Sequence, residues 1–255
     1  VGFSSILFLA CGKGDPIDDL ASLYMRAGRD GFDWHMFTDL RNAEWSYHSF
    51  DPVAAEQVPF DQLVSRYREV TPPKGMEDWF AADFDPAQAG WKTGKSPFGN
   101  YKGKIPEGPI TKCSSGCVGP GCYGATKVNT LWEKEVLLLR GTFEIPPLKE
   151  GHRYRLRVNS GEHVGAGGGH LIYINGKPLI EANQGSGRGS GGRPKGAYIT
   201  KEFLDDFKSG EVTIAVKTFI RYNAKYSTKP GSKTPQGKIC LHLDEQKLPP
   251  MGDEL

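Results

Sequence analysis

The chain has 255 residues, of which 24 % are charged and 38 % hydrophobic, and this balance suits a globular protein with a sizeable core. Lysine and arginine number 32 against 30 aspartate and glutamate residues, so the formal charge of +2 argues against nucleic acid as a partner. No apolar run in the sequence approaches the roughly 20 residues of a transmembrane helix. The 33 glycines and 18 prolines favour short strands joined by turns.

Residues 1–70 are predicted to form a helical, aromatic-rich extension. Cys11 follows an apolar stretch and resembles the lipidated cysteine after a bacterial lipoprotein signal, so it is a candidate lipid anchor. The alternative is a buried strand in a fragment of a longer protein, in which residues 1–70 are the remnant of a preceding domain. Asp15 and Pro16 predict the start of a helix that ends at Gly28, and a second helix is predicted from Phe60 to Arg68.

The stretch Thr71–Gly75 marks a domain boundary, because its two prolines and glycine favour an extended connector over a helix. The second domain is therefore predicted to span residues 71–255. Within it, runs that alternate in polarity or are rich in β-branched and aromatic residues predict strands. These runs are Val136–Ile145, Tyr154–Val158, Leu171–Ile174, Pro178–Ala182, Glu211–Tyr222 and Ile239–Leu243.

Two short signals indicate how some of these runs connect. Asn175-Gly176 predicts a type I′ hairpin, because this dipeptide supplies the two positive-φ positions that the turn requires. Thr200 to Phe207, followed by Gly210, predicts a short capped helix.

The five cysteines favour an oxidising compartment. Their spacings match neither zinc sites nor haem attachment. A Gly/Ser-rich loop, in contrast, gains stability from a covalent cross-link. We therefore predict disulfides with open pairing in a secreted, periplasmic or cell-surface protein. The cysteines involved are Cys113, Cys117, Cys122 and Cys240.

A series of motifs carries a family resemblance. The motifs are Asp83-Phe84-Asp85-Pro86 leading to Trp91, then Pro97-Phe98-Gly99, Thr130-Leu131-Trp132, Leu138–Pro146 and Tyr173–Leu179. In this order they resemble the galactose-binding-like jelly-roll domains attached to glycoside hydrolases and other exported bacterial carbohydrate-active proteins. The resemblance implies a mainly β fold, an antiparallel β-sandwich of jelly-roll type, over a little more than half of the chain.

Aromatic and cationic residues in polar loops are the candidates for binding a glycan. Aromatic faces suit the apolar C–H patches of a sugar ring, and arginine forks suit carboxylate or sulfate groups, so an acidic glycan is one expected partner. The alternative for the Gly-rich stretches is a set of solvated turns. The candidates are Tyr101, Tyr123, His163, His170, Arg188 and Arg193.

Asp83 and Asp85 predict a structural calcium site, since calcium takes six or more oxygen ligands from irregular loops. An Asx-turn explains the same residues. We predict no other cofactor and assign no catalytic residue, because the sequence does not place any two carboxyls across a cleft.

The sequence therefore predicts a non-catalytic carbohydrate-binding or accessory module of an exported bacterial protein. Its expected partners are a polysaccharide and a catalytic domain of the same parent protein. One alternative is a structural or interaction domain of a larger protein. The other is a glycan-active hydrolase whose site combines His35, Asp39 and His48 with the sandwich.

Overall fold

The computed structural model describes residues 35–51, 70–101, 103–105, 127–160, 170–180, 195–219, 221–222 and 235–248. In chain order the described strands are β1 (His35–Thr38), β2 (Glu44–Phe50), β3 (Lys92–Lys95), β4 (Phe98–Tyr101), β5 (Thr130–Leu131), β6 (Val136–Glu144), β7 (His152–Ser160), β8 (His170–Ile174), β9 (Lys177–Ile180), β10 (Lys195–Tyr198), β11 (Glu211–Phe219), β12 (Arg221–Tyr222) and β13 (Pro235–Lys247). A 3₁₀ helix, Lys201–Phe207, precedes β11. The described part is mainly β, as predicted, and none of its helices has the length and apolar character to cross a membrane. Three predicted features lie outside the described residues. They are the lipid anchor at Cys11, the helix that ends at Gly28 and the helix from Phe60 to Arg68.

The strands form two sheets. Sheet A has the order β10-β7-β13-β4-β5, with β1 and β12 also paired to β13, and sheet B has the order β3-β2-β6-β11-β8-β9. Among the described pairs, β4 with β5 is parallel and the others are antiparallel. The 13-residue strand β13 therefore organises sheet A, since four other strands bond to it.

The two sheets share one hydrophobic core. Leu137 and Val216 of sheet B and Leu156 of sheet A belong to this core and have no exposed surface. The rings of Tyr47 in β2 and Phe98 in β4 meet edge to face with centroids 5.1 Å apart, which joins the sheets directly. The jelly-roll connectivity stays a prediction, because several connections lie outside the described residues.

Residues 70–91, which we call the covering segment, pack on the outer face of sheet B. Val70 and Trp79 form a second buried cluster with Val136, Leu138 and Ala215. Further rings pack partly buried against it, namely Phe50, Phe80, Phe84, Trp91 and Tyr173. Strand β6 is therefore covered on both faces, and this explains why its first half is continuously apolar instead of alternating.

The sandwich begins before the boundary predicted between residues 70 and 71. Strand β2 lies between β3 and β6 in sheet B, and β1 pairs with β13 in sheet A. In β2, Trp45 and Tyr47 are 1 % and 8 % exposed, whereas Ser46 and His48 face outward and are half-buried. This period of two is a strand signal, and the density of aromatic residues masked it in the sequence.

The two short connecting signals have different outcomes, because the hairpin is confirmed and the predicted helix lacks its side-chain cap. Asn175 and Gly176 have φ values of 47° and 80° and join β8 to β9, which confirms the predicted hairpin. The helix predicted after Thr200 is a 3₁₀ helix. The Thr200 hydroxyl donates to the Glu202 carboxylate at 3.0 Å instead of capping the backbone.

Candidate ligand-binding site

The structure describes few of the ligand residues predicted from the sequence. Tyr101 ends β4 in sheet A, and His170 begins β8 in sheet B, so the two lie on different sheets. The other candidates lie outside the described residues, namely Tyr123, His163, Arg188 and Arg193. Their role in glycan binding stays a prediction.

Of the cysteines predicted to form disulfides, Cys240 alone lies in the described part of the chain. It stands in β13 opposite Asn159 and is 2 % exposed. The others, Cys113, Cys117 and Cys122, lie outside the described residues, so the disulfide prediction stays a prediction.

Asp85 performs the structural role that the Asx-turn alternative described. Its Oδ1 accepts hydrogen bonds from the backbone N–H groups of Ala87 at 2.8 Å and Gln88 at 3.3 Å. Asp83 is exposed, and its negative charge acts to raise the pKa of Arg140. Within the described residues no three His, Cys, Asp or Glu side chains are arranged to hold a metal ion, so the calcium prediction at Asp83 and Asp85 gains no support.

The residues of the hydrolase alternative are distributed over both sheets. His35 is in β1 of sheet A and His48 is in β2 of sheet B. Asp39 accepts two hydrogen bonds from the Arg41 guanidinium, at 2.8 and 2.7 Å. These bonds lower the pKa of Asp39, so its carboxylate serves as the ionised partner of Arg41.

A shallow depression of about 360 Å³ opens between the covering segment and the outer face of sheet B. Arg140 in β6 stands opposite Ser46 in β2, and the turn that contains Phe84 comes over them from the covering segment. We call this site the Arg140 depression. Its lining residues are Ser46, Ala82, Phe84, Asp85, Pro86, Arg140, Gly141 and Thr142.

Arg140 is the buried cation of this site, with only 6 % of its surface exposed. Its Nη2 donates to the Ala82 carbonyl at 2.9 Å, and its guanidinium carbon lies 6.0 Å from the centre of the Phe84 ring. Its Nη1 is buried and makes no hydrogen bond within the described part of the chain. Burial lowers the pKa of Arg140 while Asp83 opposes that shift, and an arginine so placed stays charged at neutral pH.

Four partly exposed rings continue from the depression, and we call them the aromatic strip. Phe84 contacts Trp91, Trp91 contacts His48, and His48 contacts Phe50, with centroid separations of 5.4, 6.2 and 6.1 Å. Burial first, and the charge of Lys92 second, lower the pKa of His48 below 6.5. The imidazole is therefore neutral at neutral pH, and the strip presents an uncharged surface beside a charged donor.

In the sequence, Phe84 and Arg140 stand out only as carriers of the family resemblance. A usable signal was present, because Arg140 follows the apolar residues Val136 to Leu139 within one predicted strand. A cation in such a run must find a partner or a ligand, since an isolated buried charge is very unfavourable. What the sequence did not show is that the covering segment meets Arg140 from outside the sheet.

Neither protein families nor curated protein sequences give a match to this chain. Among solved structures, it is similar to a beta-glucuronidase from an uncultured Clostridium species, with 12 % identity and a TM-score of 0.38 over 85 % of this chain and 29 % of that one. It is also similar to a beta-glycosidase from Bacteroides vulgatus, with 13 % identity and a TM-score of 0.37 over 82 % of this chain and 20 % of that one. The chain thus spans under a third of the length of these enzymes, and TM-scores this low carry no argument about fold or activity.

Proposed function

We propose that the chain is a non-catalytic carbohydrate-binding module of a larger exported bacterial protein and that it binds glycan at the Arg140 depression. The observation that carries the proposal is the buried guanidinium of Arg140, whose Nη1 has no hydrogen-bond partner among the described residues, beside the partly exposed ring of Phe84. A sugar ring offers apolar C–H faces to an aromatic ring and hydroxyl oxygens to a guanidinium. A depression that joins both features matches a ligand of this class.

The ionisable groups of the depression favour binding over cleavage. Glycosidic hydrolysis generally uses two carboxyl groups about 5 to 10 Å apart. Asp85 is the carboxylate among the described lining residues, and its Oδ1 already holds the turn at Ala87 and Gln88. Arg140 supplies a fixed donor with no proton to exchange at neutral pH.

The proposal is tested by a glycan microarray on the full chain, followed by titration calorimetry with the best ligand. Arg140→Met removes the donor but keeps side-chain length, and we expect affinity to fall about tenfold or more, since one charge-assisted hydrogen bond contributes about 1.5 to 3 kcal/mol. Arg41→Met is the matched control, because Arg41 binds Asp39 in the β1–β2 connection and does not line the depression. We expect this control to bind as the unmodified chain does.

A second variant separates loss of binding from loss of folding. Phe84→Leu keeps an apolar side chain but removes the ring that faces the ligand, and Phe84 is already half-exposed. We expect weaker glycan binding with thermal unfolding close to that of the unmodified chain. The absence of binding to any glycan by the intact chain, or equal affinity in all of these variants, would contradict the proposed function.

A further inference from the structure

We propose that the Arg140 depression selects neutral, hydroxylated sugars over acidic sugars, an inference that rests on the proposed glycan-binding function. The depression does not present a lone cation. Asp85 lines it together with Arg140, and the charge of Asp83 also acts on the guanidinium. The site therefore combines one positive charge with two negative charges. An incoming anion is repelled by the carboxylates.

The hydrogen-bonding capacity left open at the site fits a hydroxyl group. Arg140 Nη1 is a buried donor that no described residue accepts from. Asp85 Oδ1 accepts from the backbone, whereas its Oδ2 accepts no hydrogen bond within the described residues. A sugar carries several hydroxyls that each donate and accept, so a sugar offers groups of both kinds to the donor and to the acceptor.

A carboxylate fits the same site poorly. It only accepts hydrogen bonds, so it can pair with Arg140 Nη1 but gives nothing to Asp85. Its charge would also enter a depression that Asp85 lines, and like charges brought together at an interface are strongly unfavourable. Other charges near the aromatic strip do not reverse this preference, because Lys92 and Glu133 pair with each other at 3.4 Å.

The remaining polar side chains of the depression are uncharged. The Thr142 hydroxyl lies 2.9 Å from that of Thr213, so it is already engaged. Ser46, opposite Arg140 on β2, lines the depression and adds a hydroxyl that both donates and accepts. Among the described charged groups, selection therefore depends on Arg140, Asp85 and Asp83, and of the two carboxylates Asp85 lines the depression.

The test measures the affinities of the full chain for two matched pairs, methyl glucoside against methyl glucuronide and methyl galactoside against methyl galacturonide, by ligand-observed NMR or calorimetry. Within each pair only a hydroxymethyl group is exchanged for a carboxylate. We expect the neutral member of at least one pair to bind about tenfold more tightly at low salt. The ratio should shrink as added salt screens the charges.

Asp85→Asn decides whether Asp85 causes the preference, because asparagine keeps an oxygen for the turn but removes the charge. We expect the affinity ratio within each pair to move towards one in this variant. Asp205→Asn is the matched control, since Asp205 is an exposed carboxylate on the 3₁₀ helix that pairs with Lys208. The control should leave the ratio unchanged.

The outcomes distinguish this inference from the function on which it rests. A chain that binds neither member of any pair, nor any longer glycan, fails the proposed function. A chain that binds the acidic member as tightly as the neutral member, or more tightly, overturns the selectivity alone. A neutral preference that Asp85→Asn leaves intact also overturns the inference, because another group then sets the selection.

Discussion

At the scale of single residues, Arg140 combines burial with chemical availability. One of its terminal nitrogens donates to the Ala82 carbonyl, while the other has no partner among the residues that the structure describes. A buried donor left unsatisfied costs about 1 to 3 kcal/mol, and a ligand oxygen offsets this cost on binding. The half of the guanidinium that is fixed to Ala82 orients the other half, so the ligand does not have to order a mobile side chain.

His48 makes stability depend on pH. Burial lowers its pKa in the folded chain below the ordinary value of 6.5, so the unfolded chain binds more protons between those two pKa values. The contribution of the neutral imidazole is complete above about pH 6.5 and decreases as pH falls towards the folded-state pKa. We expect His48→Gln to lose less thermal stability than the unmodified chain between pH 7.5 and 5.5.

The measurement is the melting temperature across that pH range, with His152→Gln as control. His152 is also half-buried, but its ring lies at the start of β7 beside the Glu150 carbonyl, away from the aromatic strip. An unchanged pH dependence in His48→Gln would mean that the aromatic strip does not disfavour the charged imidazole.

At the scale of elements, β6 is a strand buried on both faces within an antiparallel sheet. Leu137 and Leu139 belong to the main core, whereas Val136 and Leu138 pack under the covering segment. The sequence predicted this strand from its β-branched and apolar residues. It did not predict the second buried face, because a continuous apolar run is equally compatible with several environments.

Trp79 is the residue through which the covering segment is expected to stabilise the fold. Its ring is 3 % exposed and meets Tyr173 of β8 edge to face at 5.4 Å. We expect Trp79→Ala to lower the free energy of unfolding by about 3 to 5 kcal/mol, the usual loss for a buried tryptophan. Denaturant titration followed by circular dichroism measures this loss.

Phe80→Ala is the comparison for Trp79→Ala, because Phe80 is the next residue and is only half-buried while it stacks on Tyr173 at 4.3 Å. We expect Phe80→Ala to lower the free energy of unfolding clearly less than Trp79→Ala does. Equal small losses in the two variants would show that the covering segment contributes little to the free energy of unfolding.

At the scale of the whole molecule, strands that are distant in sequence depend on one another. Strand β2 lies between β3 and β6, and β1 pairs with β13 near the other end of the chain. We expect a truncation that begins at Pro73 to lose native tertiary structure, because it removes β1 and β2 together with Trp45 and Tyr47 of the core. Near-ultraviolet circular dichroism and size-exclusion chromatography report this loss.

A truncation that begins at His35 provides the comparison, since it keeps every described strand. The difference between the two truncations isolates the contribution of residues 35–72 to native tertiary structure. Native-like spectra and melting temperature in the Pro73 truncation would contradict the position of β2 inside sheet B.

The sequence by itself determined the features that depend on neighbouring residues. The strand over Val136–Glu144 and the Asn175-Gly176 hairpin follow from side-chain shape and backbone conformation within a few positions. Only the tertiary structure decided the position of β2 and the existence of the Arg140 depression. The depression is assembled from Ser46, the turn near Phe84, and Arg140, which come from three separate stretches of chain. Such a site depends on long-range pairing, register and packing, and local propensity does not encode these.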